Sequence, residues 1–180
     1  MLTRLSDHLA RLERVLLIGL VAALVGLILL NVVTRTADIA VYWVDELAIY
    51  TMIWLVFVGA SHTLHLRRHV RVTLVLAVLR GRLRRWVDIG TDLLLWAFCL
   101  FLIWLAWIWY DPVGVGAAGF DRRAFSAATF NFIYDEPTLT IGIRKFWVWL
   151  VMPWLAVSAS LHASANLADT LAGREPREAA

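Results

Sequence analysis

Charge is missing from four long stretches of this chain. Residues 15–34, 47–66, 93–110 and 146–168 contain no Asp, Glu, Lys or Arg. A helix rising about 1.5 Å per residue crosses a hydrocarbon core of about 30 Å in about 20 residues, so each stretch fits one crossing. Cysteine is nearly absent too. Cys99 has no second thiol with which to form an internal disulfide or a dithiol redox centre, and it reads as a small packing residue. Strand-type alternation is lacking, which disfavours a barrel. There is no nucleophile elbow, phosphate-binding loop or zincin motif, so an enzyme is not expected. No internal repeat is evident, and the inverted repeats of many secondary transporters are therefore not visible. Outside the four stretches no segment is long enough for a conventional soluble domain. The longest, 111–145, reads as a structured loop.

What is present fits one class. The chain is 61% hydrophobic and carries ten Trp. Backbone groups inside a bilayer must be satisfied within each element, and helices do this. The expectation is an all-α integral membrane protein: a single four-helix domain over 1–180, with spans at about 15–34, 43–66, 86–110 and 146–168. Trp43, Trp107, Trp109, Trp147 and Trp149 fall near the outer span ends and Trp86 near an inner one, as an aromatic belt requires. Short interfacial amphipathic helices complete the picture. Leu2, Leu5, Leu9 and Leu12 form a stripe, with Arg4, Asp7, Arg11 and Glu13 largely off it, which predicts an interfacial helix feeding into span one. The apolar segment 72–79 is too short to cross and is flanked by arginines, which predicts a second. Basic residues precede span one, but its apolar region is long and no small-residue cleavage pattern follows. It reads as a retained helix.

The net charge of +3 does not point to nucleic acid, because the basic residues sort by side. Arg4, Arg11, Arg14, Arg67, Arg68, Arg71, Arg80, Arg82, Arg84, Arg85, Arg174 and Arg177 share one side of the four spans. Only Arg35, Arg122, Arg123, Arg144 and Lys145 lie on the other. The positive-inside rule then makes both termini and the loop between spans two and three cytoplasmic. The arginine clusters read as topology determinants and anchors for anionic phospholipid.

Two sets of polar residues stand out. Asp45 and Glu46 open span two on the outer side, where negative charge suits a helix N-terminus and Arg35 is within reach of either. An interfacial pair at a helix end is favoured here over an ion site. On the inner side, His62, His65, Asp88, Asp92, His162 and Asn166 share one approximate depth, with Asp88 and Asp92 on one helix face. Because they lie away from mid-membrane, glue between helices is favoured over a proton relay. His62 or His65 together with His162 also has the depth match for a b-type haem, so a haem- or quinone-linked anchor of an electron-transfer complex is the alternative function. The spacing of His62, His65 and His69 imitates a metal site but lacks accompanying Cys or carboxylate ligands. No cofactor, metal or catalytic residue is expected.

The run Trp43-Val44-Asp45-Glu46, then Trp54, Gly59-Ala60 and His69-Val70-Arg71-Val72, resembles the small membrane subunit of tripartite ATP-independent periplasmic (TRAP) transporters, the DctQ-like family. Leu139, Trp147 and Pro153 resemble that family's approach to its last helix, proline included. Arg71 followed by Val72-Thr73 departs from the acidic residue many relatives place there, and Phe120-Asp121-Arg122-Arg123 and Tyr134-Asp135-Glu136-Pro137 have no assigned counterpart. The resemblance implies a multi-pass protein of the bacterial inner membrane. Its partners would be a large permease subunit, which holds the substrate and sodium sites and moves as an elevator, and a periplasmic protein that captures the solute, commonly an organic acid. The small subunit would scaffold and anchor the large one. Trp43, Asp45, Glu46, Trp54, Gly59, Arg67, Arg68, His69 and Pro153 become candidate contacts with that partner or with lipid, and Gly59-Ala60-Ser61 a surface for close packing.

Overall fold

The computed structural model describes residues 2–66 and 81–173. The expectations for Arg67, Arg68, His69, Arg71 and segment 72–79 lie outside the described residues, as do those for Arg80, Arg174 and Arg177. Among the described residues the helices in chain order are α1 (Leu2–Thr36), α2 (Tyr42–His65), α3 (Gly81–Tyr110), α4 (Pro112–Ala117), α5 (Arg122–Thr129), α6 (Lys145–Trp149) and α7 (Val151–Leu171). Extended pairing among the described residues is limited to one antiparallel bridge, Pro137 with Arg144. Among the described residues, four segments are long and apolar enough to cross a membrane: Leu2–Thr36, Tyr42–His65, Arg82–Ala117 and Lys145–Leu171.

The helix ends follow from local chemistry. Asp38 takes a left-handed conformation (φ 56°) after α1. The Ile39 N–H then reaches the Thr34 carbonyl at 2.9 Å and the Asp38 N–H reaches that of Arg35 at 3.2 Å, a Schellman closure. Pro153 sits in the first turn of α7, where its missing N–H costs least, and α6 is separated from α7 at Leu150.

α7 lies at the centre and packs against α1, α2 and α3, while α1 packs chiefly on α2. Much of its buried surface is small residues, Ala156, Ser158, Ala159, Ser160, Ala163 and Ala165, which let neighbouring backbones approach closely. Leu64, Cys99, Ala159 and Ala163 form a buried cluster with Leu95, Trp96 and Leu155 against it. Hydrogen bonds tie the same helices: Ser61 to Ser158 at 2.7 Å, Trp96 Nε1 to Ser164 at 2.9 Å, and Asn166 Nδ2 to the Leu64 carbonyl at 2.8 Å.

The N-terminal turns run unbroken into the first span, as the leucine stripe predicts, and the face they press onto the protein carries Ser6, Ala10 and Glu13. Leu2, Leu5 and Leu12, from the predicted stripe, point outward.

The loop 111–145 is more ordered than its sequence suggests. Asp111 caps α4 by accepting the Gly114 N–H at 2.9 Å, with Pro112 at the first helical position. Asp121 caps α5 through the Arg123 and Ala124 N–H groups at 3.0 and 3.2 Å. Phe125, Val115 and Ile133 are buried beneath it, and Tyr134 stacks on Phe146.

Candidate functional site

α2 begins with two carboxylates that do different work. Asp45 accepts from the Arg35 guanidinium at 3.0 Å and from Asn31 Nδ2, and Arg35 Nε also donates to Asn31 Oδ1 at 2.8 Å. Of the two partners open to Arg35 in the sequence, the structure selects Asp45. Glu46 turns the other way. Its Oε1 accepts from the Tyr50 hydroxyl and the Leu139 N–H, both at 2.8 Å. Its Oε2 accepts from the Thr140 N–H and hydroxyl, both at 2.6 Å, and from the Ile141 N–H at 3.1 Å. Three successive backbone N–H groups converging on one carboxylate form a small anion nest, so Glu46 clasps the outer loop to the start of α2. Lys145 pairs with Glu136 nearby. Burial, with the Asp111 charge adding to it, pushes the Tyr134 phenol above its ordinary value; it remains a donor, bonded to the Tyr110 carbonyl at 2.5 Å.

The other candidates are spread out. Trp43 is exposed. Trp54 donates its indole N–H to the Val148 carbonyl at 2.8 Å, just before the break at Leu150. Pro153 lines an apolar groove of about 220 Å³ between α3 and α7, with Trp107 and Tyr110 opposite. Gly59 faces α1: a Cβ placed there would meet Leu17 Cδ2 at 3.8 Å, ordinary contact.

At the opposite end of the bundle the structure divides the predicted cluster. His62, His65 and His162 do converge, with ring centroids 6.3 Å apart for His62 and His65 and 5.2 Å for His65 and His162. The groups that bind them come from α1. His162 Nδ1 lies 2.7 Å from Ser6 Oγ, which lies 3.1 Å from His65 Nδ1. His162 Nε2 lies 3.1 Å from Glu13 Oε2, and His62 Nδ1 lies 3.7 Å from the same oxygen. His65 Nε2 faces Asp7 at 3.9 Å. Asp92 instead accepts from Thr170, bridging α3 and α7, and Asn166 is spent on Leu64. Asp88 is half-buried on α3.

Sequence reasoning missed Ser6 and Glu13. The spacing of Ser6, Ala10 and Glu13, four and three residues apart, marks one helix face and was the available signal. Both nitrogens of His162, the histidine a haem-bearing alternative needs, are already engaged, so nothing in this arrangement supports that alternative. Among the described residues no group of three or more His, Cys, Asp or Glu is set to hold a metal ion.

The pattern that decides the family extends beyond these clusters. The family model described as "Tripartite ATP-independent periplasmic transporters, DctQ component" matches residues 24–173. The chain belongs to the DctQ family. It is therefore the small membrane component of a TRAP transporter and a multi-pass membrane protein. The DctQ match takes in α2, α3 and α7 whole, together with the outer clasp. It begins at residue 24, so Ser6 and Glu13 lie before it while their partners His62, His65 and His162 lie within it. No curated protein matches the chain.

Proposed function

We propose that this chain scaffolds and anchors the large permease subunit of its TRAP system. The transport would be sodium-coupled uptake of an organic acid or similar solute, delivered by a periplasmic binding protein. The observation that carries the reading is the DctQ match across four membrane-crossing segments, because a tripartite system requires two further components. The chain performs no catalysis in this scheme. Asp45, Glu46, Asp92 and Asn166 are engaged in internal ties, and outward faces of two helices are apolar: Val21, Val25 and Ile28 on α1, Leu94, Phe98 and Trp104 on α3. Such faces suit lipid and a membrane partner.

The arginine asymmetry supports placement in the inner membrane with both termini cytoplasmic, and anionic phospholipid at the inner arginines. Trp43, Gly59, Pro153, Arg67, Arg68 and His69 are the proposed contacts with partner or lipid. Asp45, Glu46 and Trp54 act by holding this chain's own outer surface in shape. The inner histidines lock α1, α2 and α7 together.

The test is a mild-detergent pull-down of the tagged chain expressed with its genomic neighbours, followed by uptake in proteoliposomes. Recovery of a larger polytopic permease in equal stoichiometry, with uptake driven by a sodium gradient, is the expected result. Recovery of a haem or iron–sulfur protein, or of nothing, overturns the reading.

A further inference from the structure

Glu13 is fully buried, and its two oxygens are treated unequally. Oε2 faces His162 Nε2 at 3.1 Å and His62 Nδ1 at 3.7 Å, whereas Oε1 has no hydrogen-bond partner. His62 Nδ1 is also buried without a hydrogen bond. An ionised carboxylate in an apolar interior needs donors on both oxygens and a countercharge. Glu13 lacks a donor on Oε1, and a neutral His162 supplies no countercharge. One additional proton removes the second defect and lowers the cost of the first, because Oε1 then belongs to a neutral pair. It makes the pair either a carboxylic acid against a neutral imidazole or a carboxylate against an imidazolium, and in each case the net charge is zero.

The hydrogen-bond chain beyond His162 points the same way. With the proton present, His162 Nδ1–H donates to Ser6 Oγ at 2.7 Å and the Ser6 hydroxyl donates to His65 Nδ1 at 3.1 Å. His65 then turns its Nε2–H toward Asp7 Oδ1, 3.9 Å away. Removing the proton reverses this order. His162 must donate from Nε2 to Glu13, Ser6 must donate to His162, and His65 must donate from Nδ1 to Ser6. The lone pair of His65 Nε2 then faces the Asp7 carboxylate, and Glu13 is left as a bare anion with one oxygen unsatisfied.

We propose that Glu13 and His162 form a buried proton-binding site, loaded along the path Asp7–His65–Ser6, and that the bound proton holds the first turns of α1 against α2 and α7. Asp7, with its side chain 45% exposed, is the outer end of the path. Other ionisable groups near the site are Arg14 on α1, which acts on His62 through space, His62 itself on α2, and Asp169, buried on α7 two turns beyond His162. α7 contributes His162. Because the docked state binds the proton, removing that proton at high pH works against docking. The site does not depend on the transport reading. It joins a part of α1 that precedes the DctQ match to two helices inside it.

The experiment uses the full chain in lipid nanodiscs, with ¹⁵N-labelled histidine and ¹³C-labelled glutamate, followed by NMR across a pH series. At neutral pH the spectra should show either a protonated Glu13 carboxyl or a His162 imidazolium. Glu13→Gln should lose that signal yet keep α1 docked, since the amide donates to His162 Nε2 at every pH. Amide protection over residues 3–14 should fall at high pH in the natural chain and stay level in Glu13→Gln. Ser6→Ala should retain the proton and slow its exchange with solvent. An ionised Glu13 beside a neutral His162 at neutral pH overturns the site. Equal pH responses of protection in the two proteins overturn its role in docking, and unchanged proton exchange in Ser6→Ala overturns the path. Should Glu13→Gln fail to insert, the spectra of the natural chain alone decide whether the proton is there.

Discussion

Glu46 Oε2 accepts both the backbone N–H and the side-chain hydroxyl of Thr140, each at 2.6 Å, across 94 residues of sequence. That contact, with the flanking N–H groups of Leu139 and Ile141, fixes where the outer loop returns to the bundle. Glu46→Ala removes every acceptor in the clasp at once. Limited proteolysis should then cut within residues 138–143 faster than in the natural chain, while the helical content stays unchanged. Thr140→Val removes only the hydroxyl and should fall between the two. Equal cleavage rates in all three proteins would show that the clasp does not hold the loop.

Trp54 tests the break before α7. Its indole N–H is bonded to the Val148 carbonyl, on the N-terminal side of Leu150. Trp54→Phe keeps the apolar ring and deletes the donor, at a cost of about 1 kcal/mol. The thermal midpoint in detergent should drop by about 2–4 °C.

Gly59 separates packing within the chain from packing against a partner. A methyl group at this position meets only ordinary contact with Leu17, and alanine is the better helix former. Gly59→Ala should leave the isolated chain as stable as before, or stabilise it by up to about 1 kcal/mol. If the same variant fails to co-purify with its permease, the close approach belongs to the interface.

Gly114 is held by its own cap. An added Cβ would lie 2.1 Å from Asp111 Oδ2, so Gly114→Ala must displace the capping carboxylate. Loss of the cap costs about 1 kcal/mol. Hydrogen exchange should speed up in α4, and Asp111→Ala should produce the same pattern without the clash.

The sequence by itself determined the four crossings, the helical class and the family likeness. All three depend on quantities that run along the chain: apolar length, the sites of Trp and Arg, and residue order. It also placed Arg35, Asp45 and Glu46 at one level, and His62, His65, Asp88, Asp92, His162 and Asn166 at another, because a helix rises a fixed distance per residue and position therefore gives depth. Depth does not give neighbours. Which helices adjoin, and how each is rotated, is set by how side chains of different size pack. Only the tertiary structure decided that Asp92 turns to Thr170 while Ser6 and Glu13 turn to the histidines. The small residues of α7 are the physical reason. They let α1, α2 and α3 all reach one helix, and His162, on that helix, faces the polar side of α1.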